Sequence, residues 1–351
     1  MRYANRTLHW LEGPVCASRW ELPGKRVIWV FGDRHRLQLC QQPQAIKNTH
    51  RPFARLDHLL LALLQRRPKL AVDLYVEQMP PMWGSHNDSE AYHGSSSTYL
   101  DLLHQTFLSC YLSHVQGKCQ TSCYFPRLRL WSVDVRKAHQ AFRTTLTVSL
   151  AYCRRLQDFR PSDKAHRAAW ESVPRLLRRA LGTALDVLIQ ETGPDATFGQ
   201  VVESQLHKTG AIRRLQKMGG SKLVRLVREA SRRTSPHRAF LEFPVHRVRQ
   251  WVAQQGSLSE EDMTGLHTML SQWIPASAVV MDAFLLSHVL EQTTPLSLIF
   301  VGYMHTQAIE DVLRASGYQP GWSTPRHESG LPASLSQYLH VAEAPDLDEG
   351  V

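Results

Sequence analysis

The sequence has no apolar run long enough to cross a membrane. Its longest apolar stretches, LDHLLLALL and VVMDAFLLSHVL, carry polar residues and stop short of the roughly 20 residues that a span requires. The opening segment, MRYANRTLHWLEGPVCASRW, has no signal-peptide apolar core. These absences predict a protein without a transmembrane segment that is synthesised and folded in the cytosol.

Cysteine is scarce, with 6 residues in 351, and no pair has the two-residue spacer of the common zinc motifs. Three of the six, Cys110, Cys119 and Cys123, lie close to His114 in the segment CYLSHVQGKCQTSC. Three interpretations stay open for this cluster: a zinc site, free buried thiols, or one disulfide.

Motifs of specific nucleic-acid recognition are also missing, since there is no helix-turn-helix, zinc-finger or RNP signature. Acidic residues are in the minority, with 31 Asp and Glu against 41 Lys and Arg, for a formal net charge of +10. The excess is concentrated between Arg154 and Arg249. The preferred interpretation is a solvated helical face, and the alternative is contact with nucleic acid or an acidic partner.

Hydrophobic residues make up 43% of the chain, enough for a sizeable core, and the length suits one large α/β domain or two smaller ones. Helical segments separate four candidate strands, which are RVIWVFG, KLAVDLYVEQMPPM, RLRLWSVDVRKA and PLSLIFVGYMH. Strands separated by helices pair in parallel through right-handed crossovers. We therefore predict an α/β fold with a mostly parallel sheet and flanking helices.

The long stretch between the third and fourth candidate strands has a helical pattern throughout. Its expected breaks are at Pro161, Gly193-Pro194, Gly219-Gly220, Pro236 and Pro275. We predict an α/β core of residues 1–136 and 275–351, with a basic helical insertion or subdomain of residues 137–274. After the last strand, TQAIEDVLRASGY predicts a short helix capped by Gly317, and the tail from Pro320 is expected to wrap the surface.

Polar side chains gather where the four candidate strands end. They are Asp33 and His35 after the first strand, Glu77 after the second, Asp134 and Arg136 after the third, and His305 after the fourth. The carboxyl ends of parallel strands share one edge of a sheet, where α/β proteins bind their ligands. Gly32 and Gly302 are expected to let the chain turn sharply at the ends of the first and last strands.

This set of side chains predicts a divalent-metal site. Neutral imidazoles combined with carboxylates suit zinc, manganese, cobalt or iron. An ion held there would polarise a carbonyl group and acidify its bound water, while another carboxylate acts as a base and Arg136 holds an anionic group. The alternative is structural: each histidine caps a strand end, Glu77 pairs with Arg136, and Asp134 is a helix N-cap.

The motifs GDRH and VGYMH, with VDLYVEQMP between them, resemble those of the Tiki/TraB superfamily, which includes ChaN-like haem-uptake proteins and erythromycin-esterase-like enzymes. The series GDRH, VDVR, MDAFLLSHV and VGYMHTQAIEDVLRASGY is similar to members encoded by large DNA viruses. The resemblance covers roughly residues 25–140 and 275–320 and omits the helical middle. In the first motif, Asp33-Arg34 stands where several enzyme branches have Gly-Glu.

The resemblance implies roles for three sets of residues. The metal ligands would be drawn from His35, Glu77 and His305. The catalytic polar groups would be Glu77, Asp33, Asp134 and Arg136. The site would further be shaped by Gly32, Gly302 and Asp282, the last on the helix that precedes the final strand.

The leading hypothesis is a metal-dependent hydrolase that cuts a peptide or a small ester with zinc, manganese or cobalt in the cytoplasm of a host cell. The ChaN-like branch implies haem as a less favoured ligand. The alternative hypothesis is a non-catalytic viral structural or host-factor-binding protein that retains the fold and belongs to the virion. The basic helical middle fits a docking role as well as it fits an insertion.

Overall fold

The structure is a computed structural model in which the chain forms two compact units. The first unit comprises residues 1–135 and 288–351, and the second comprises residues 136–287, whereas the sequence-based division placed the insertion at 137–274. The described residues are 1–3, 6–8, 10–33, 53–78, 99–110, 125–139, 141–143, 145–146, 164–231, 238–254, 260–324, 338–341 and 344–351.

Eleven strands lie within the described residues, all of them in the first unit. They are β1 (Arg2–Tyr3), β2 (Arg6–Thr7), β3 (Trp10–Glu12), β4 (Cys16–Leu22), β5 (Arg26–Asp33), β6 (Phe53–Arg55), β7 (Val72–Val76), β8 (Leu128–Ser132), β9 (Leu296–Gly302), β10 (Pro320–Ser323) and β11 (Tyr338–His340). Six of them form the main sheet, in the order β10–β4–β5–β9–β7–β8. A smaller sheet has the order β11–β3–β6, and β1 pairs with β2.

The described α-helices divide between the two units. Those of the first unit are α1 (Leu56–Arg66), α2 (Tyr99–Thr106) and α9 (Tyr303–Ala315). Those of the second unit are α3 (Lys164–Thr192), α4 (Phe198–Lys208), α5 (Ala211–Ser231), α6 (Arg238–Leu241) and α7 (Val245–Gln254). The long helix α8 (Glu260–Glu291) begins in the second unit, and its last turn belongs to the first.

Four neighbouring strands of the main sheet, β5, β9, β7 and β8, run parallel. They are the four strands predicted from the sequence, and the prediction of an α/β fold with a mostly parallel sheet is confirmed. β7 and β9 are buried along their whole length, and β5 is buried at every residue after Arg26. Continuous runs of β-branched and aromatic residues favour this position, because a central parallel strand is covered on both faces.

Two antiparallel strands extend the main sheet beyond β5, and the sequence did not predict them. β4 pairs with β5 and β10 pairs with β4, so the tail from Pro320 supplies an edge strand and does not only wrap the surface. Polar residues interrupt the apolar pattern of β4. In the fold, however, Ser18 donates to Oε1 of Glu310 at 2.7 Å, and Arg19 donates to the carbonyl of Glu349 at 2.6 Å. Partners so distant in the chain leave no local signal.

The two faces of the main sheet are covered by different elements. One face forms a continuous buried core with α1 and α2, to which the sheet contributes residues such as Trp29, Phe31, Leu74, Leu298 and Phe300. The opposite face receives α9, which lies against β5 and β9. Side chains alternate along a strand, so consecutive residues of β5 point to different layers.

Two predicted helix ends are confirmed. α9 ends in a Schellman motif, in which Gly317 has a φ of 93° and the N–H of Tyr318 donates to the carbonyl of Leu313 at 3.1 Å. The pair Gly193-Pro194 separates α3 from α4, as its turn chemistry indicates.

The predicted break at Gly219-Gly220 is also confirmed, because Gly220 has a non-helical φ of 63° and ψ of −161° and separates two helical halves of α5. The predicted break at Pro275 is wrong. α8 continues through Pro275, which has no N–H to donate, because the buried Trp273 and Ala276 beside it hold the helix by packing. The predicted breaks that fall outside the described residues are Pro161 and Pro236.

Because α8 runs on through its proline, it contains a longer apolar segment than the sequence suggested. Among the described residues, Thr264–Glu291 is the one helical segment long and apolar enough to cross a membrane by length and composition. Within its most apolar window, 72% is buried inside the protein, as in the core helix of a globular fold. The lack of a transmembrane segment therefore stays a prediction.

Two cysteines are described. Cys16 in β4 is a buried free thiol. Cys110 is fully buried and disulfide-bonded, so its sulfur is not a thiolate available to zinc. The other members of the predicted cluster, His114, Cys119 and Cys123, lie outside the described residues.

Candidate functional site at the carboxyl edge of the sheet

The carboxyl ends of the four parallel strands lie along one edge of the main sheet, termed the carboxyl edge. In the strand register, Asp33 at the end of β5 is beside Gly302 at the end of β9. Val76 at the end of β7 is beside Phe300 in β9 and Ser132 in β8. Residues that follow these strands therefore start from neighbouring positions.

Glu77 follows β7 and is held through both its backbone and its side chain. Its N–H donates to the carbonyl of Phe300 at 2.9 Å, which extends the pairing of β7 with β9 by one residue. Its Oε2 accepts the N–H of Gly302 at 2.6 Å, and its Oε1 lies 3.5 Å from Nε2 of His305. The carboxylate therefore links the last residue of β9 to the first turn of α9.

His305 reaches Glu77 because α9 begins immediately after β9. Gly302 is both the last residue of β9 and the N-cap of α9, which puts His305 in the first helical turn. The side chains of His305 and Glu77 are only 10% and 5% exposed. In such a water-poor setting, charge attraction between a carboxylate and an imidazolium or a shared cation is stronger than at the surface.

Gly32 serves close packing and not the sharp turn that the sequence suggested. It lies inside β5 and is not among the residues with positive φ. A Cβ added there would lie 2.5 Å from Sγ of Cys16 and 2.9 Å from Cγ2 of Thr306. The missing side chain therefore lets the first turn of α9, which carries His305, approach the sheet.

The role of Gly302 also differs from the one predicted, which was to allow a sharp turn at the end of the last strand. Its φ of −59° and ψ of 146° are open to other residues, so the turn does not depend on glycine. What the site uses is its backbone N–H, which fixes the carboxylate of Glu77. This contact joins residues 225 positions apart in the chain, and no local sequence signal indicates it.

Asp33 and Asp134 are both buried at the carboxyl edge. Asp33 ends β5, and the alternation of the strand places it on the face of Phe31, away from α9 and His305. Asp134 lies beyond β8, where its N–H donates to the carbonyl of Gln78 at 3.2 Å. The structure thus brings both acids to the predicted edge, with Asp33 directed to the opposite face from the Glu77–His305 pair.

Three residues of the predicted site do not belong to this described pair. Arg136 and Asp282 are members of the second unit, where both side chains are buried. His35 lies outside the described residues. The candidate site is therefore built on Glu77, His305 and Gly302, with the two further acids along the same edge.

The pair offers two donor atoms to a metal ion. Among the described residues, no group of three or more His, Cys, Asp or Glu side chains could hold one, but the expected third ligand, His35, falls outside them. The 3.5 Å between Oε1 of Glu77 and Nε2 of His305 is longer than the usual N–H···O bond of about 2.7–3.2 Å. It is close to the ~3.3 Å between two ligands of a tetrahedral ion with bonds near 2.05 Å.

Sequence reasoning missed the contacts that hold α9 in place. Oε1 of Glu310 accepts the hydroxyl of Ser18, and Oε2 lies 3.3 Å from the guanidinium of Arg314. That guanidinium in turn lies over the ring of Trp20, at 5.4 Å from its centroid. The signal was present in the alternation of β4, whose even-numbered residues face α9, but it is visible only once β4 is known to be a strand.

Fold and site together define an α/β protein with a mostly parallel six-stranded sheet and a buried carboxylate–imidazole pair at its carboxyl edge. Comparison of the chain with protein-family models, curated proteins and solved structures finds no match. The class therefore rests on this chain's own topology and contacts.

Proposed function

We propose that the protein is a metal-dependent hydrolase of Tiki-like type, acting on a peptide or ester bond at the carboxyl edge of its sheet. The observation that carries the proposal is the Glu77–His305 pair, with donor atoms 3.5 Å apart and both side chains largely buried. A ligand site at this edge is the usual arrangement in parallel α/β sheets.

The donor set fits a borderline divalent cation. Nε2 of His305 and Oε1 of Glu77 would hold zinc, manganese or cobalt, and the GDRH motif adds His35 as the expected third ligand. When bound, such an ion polarises a carbonyl oxygen and lowers the pKa of coordinated water.

The other residues act by orientation and charge. The N–H of Gly302 holds Oε2 of Glu77, which leaves Oε1 turned toward the imidazole of His305. Asp134, buried along the same edge, is the candidate base, whereas Asp33 faces the other side of the sheet. Arg136 and Asp282 belong to the second unit and have no part in this proposal.

Metal content tests the proposal directly. The full chain is loaded in separate dialyses with zinc, manganese or cobalt, and bound metal is measured by elemental analysis. We expect one ion per chain for the wild type, and loss of that ion in Glu77→Gln and in His305→Gln. Hydrolysis of ester and peptide substrates by the loaded protein should fall together with the metal.

The chain offers matched controls for both substitutions. Glu310→Gln changes a carboxylate as buried as Glu77, and His288→Gln changes a histidine as buried as His305. Both controls should keep their ion, with folding of every variant checked by urea unfolding. A wild type that takes up none of the three metals, or equal loss in the controls, would overturn the proposal.

The contacts of Glu77 also support the second hypothesis, a non-catalytic binding protein that retains the fold. The carboxylate joins β7 to β9 and α9, which is a structural task in itself. Under this hypothesis, Glu77→Gln and His305→Gln change stability alone, and the metal-free chain still binds its viral or host partner. Capture of that partner by metal-free wild type and both variants would favour it.

A further inference from the structure

The net positive charge of the chain belongs entirely to the second unit. Residues 136–287 contain 23 Lys and Arg against 13 Asp and Glu, a net charge of +10. Residues 1–135 and 288–351 contain 18 of each sign and are neutral overall. The unit that carries the Glu77–His305 pair thus has a net charge of zero, and the helical unit is strongly basic.

Several acids of the second unit are already paired with cations inside it. The pairs are Asp186–Arg249, Glu203–Arg228, Glu191–Lys208, Glu191–Lys137 and Glu229–Arg225. Other cations of the described part of this unit form no ion pair. Within the described residues of this unit, the exposed cations with no ion pair are Arg175, Arg179, Arg213, Lys217, Lys222 and Arg247.

Helix α5 carries the greatest local excess, with six cations and one acid in 21 residues. Its buried residues are Ala211, Ile212 and Leu215 before the kink, and Leu223, Val224 and Val227 after it. At 3.6 residues per turn, these two apolar stripes are about a third of a turn out of phase, and the irregular backbone of Gly220 absorbs the difference. Arg213 and Lys217 lie opposite the first stripe, and Lys222 lies opposite the second.

In each half of α5, apolar residues therefore point inward and cations point outward. The three outward cations Arg213, Lys217 and Lys222 are termed the basic face. Arg213 and Lys217 are four residues apart, a spacing at which like charges destabilise a helix. None of the described acids forms an ion pair with them, so their charges are available to phosphates, and such contacts release counterions condensed on a nucleic acid.

We propose that the basic face of α5 binds the phosphate backbone of nucleic acid without sequence preference. The ~6 Å rise between Arg213 and Lys217 is close to twice the ~3.4 Å axial spacing of phosphates on one strand. The absence of a recognition motif from the sequence fits contacts to the backbone alone.

The surface chemistry of α5 favours nucleic acid over an acidic protein. A protein interface depends on large apolar or aromatic side chains at its centre. The exposed large hydrophobic residues of the described chain are Leu176, Phe243 and Met304, and none belongs to α5. Phosphate contacts need no such anchor.

Binding of a fluorescent duplex of about 20 base pairs to the full chain, between about 50 and 200 mM salt, tests the proposal. The test variant is Arg213→Gln/Lys217→Gln/Lys222→Gln. Its matched control is Lys25→Gln/Lys69→Gln/Arg127→Gln, which removes three exposed cations without ion pairs from the first unit. Both variants have the same net charge.

We expect the test variant to bind the duplex at least about 10-fold more weakly than the wild type. The plot of log binding constant against log salt concentration should become less steep, with the magnitude of its slope smaller by roughly 2–3. The control should stay within about 2-fold of the wild type. Equal weakening in both variants would show attraction by net charge alone and overturn the proposal, as would a wild type that does not bind the duplex. Tighter binding of polyglutamate than of duplex at equal charge concentration would assign the face to an acidic protein instead.

Discussion

Oε2 of Glu77 accepts the backbone N–H of Gly302 at 2.6 Å, and this hydrogen bond closes the carboxyl edge between β7 and β9. On the side of β9 that faces β7, the N–H of Gly302 is the first donor beyond the residues paired with β7, and this hydrogen bond is buried. A carboxylate that satisfies it cannot rotate freely, and its second oxygen is turned toward His305. The same contact is therefore both a structural bond and the feature that orients the candidate ligand.

Removal of this acceptor should destabilise the fold. Glu77→Ala leaves the N–H of Gly302 buried without its partner, and we expect a loss of about 1–3 kcal/mol in the free energy of unfolding. Glu77→Gln keeps an amide oxygen as acceptor and should cost less than half of that. Urea unfolding of both variants measures the difference, and equal losses would show that the bond to Gly302 is not the stabilising contact.

Addition of one methyl group at Gly32 should be costly for a different reason. The Cβ of Gly32→Ala would meet Sγ of Cys16 and Cγ2 of Thr306 at distances too short for unstrained packing, so we expect destabilisation of about 1–3 kcal/mol. Adding Cys16→Ala removes one of the two obstacles and should recover part of the loss. A double-mutant cycle measures this coupling, expected at about 0.5 kcal/mol or more.

A second glycine provides the control for that experiment. An added Cβ at Gly265 in α8 has no atom within 4 Å, and its φ is not positive. Gly265→Ala should therefore be neutral or stabilising, by up to about 1 kcal/mol, because alanine is the better helix former. If Gly32→Ala behaves like Gly265→Ala, the close approach of α9 to β5 does not limit the residue at position 32.

Strand identity was predictable from this sequence where the apolar run is continuous, as in β5 and β9. β4 was not predictable, because Ser18 and Arg19 look unsuited to a buried strand until their partners across the fold are known. Strand ends likewise identified Glu77 and His305 as neighbours through topology. Their orientation depends on a backbone N–H, which every residue has and no pattern marks.

The stability of the fold should respond unequally to loss of Asp73 and to loss of Arg129, which form an ion pair. Asp73 is fully buried and accepts two bonds from Arg129, at 2.6 and 2.7 Å, and one from Trp131 at 3.1 Å. Arg129 is 36% exposed. Loss of the arginine strands a carboxylate in the core, whereas loss of the carboxylate leaves a cation that reaches water.

We therefore expect Arg129→Met to cost about 3 kcal/mol or more, and Asp73→Asn about 1 kcal/mol, since asparagine still accepts from Trp131. Urea unfolding at neutral pH gives both values. A larger loss in Asp73→Asn than in Arg129→Met would contradict the assigned burial of the two partners.

Glu12 makes the stability of the fold depend on pH. Burial raises the pKa of its carboxyl above the usual value. The charges of Arg55, its neighbour in the β3–β6 register, and of His58 lower this pKa in part, and the charge of Asp57 raises it further. Because the folded state binds this proton more readily than the unfolded chain, Glu12 lowers stability as the pH rises from its ordinary pKa through its raised one.

Glu12→Gln removes the ionised form and should be more stable than the wild type at neutral pH. Unfolding midpoints in urea between about pH 4 and pH 8 should show this advantage shrinking toward the acid end, while Glu261→Gln, at an exposed position, should not show it. An advantage independent of pH would mean that Glu12 acts by packing and not through its charge.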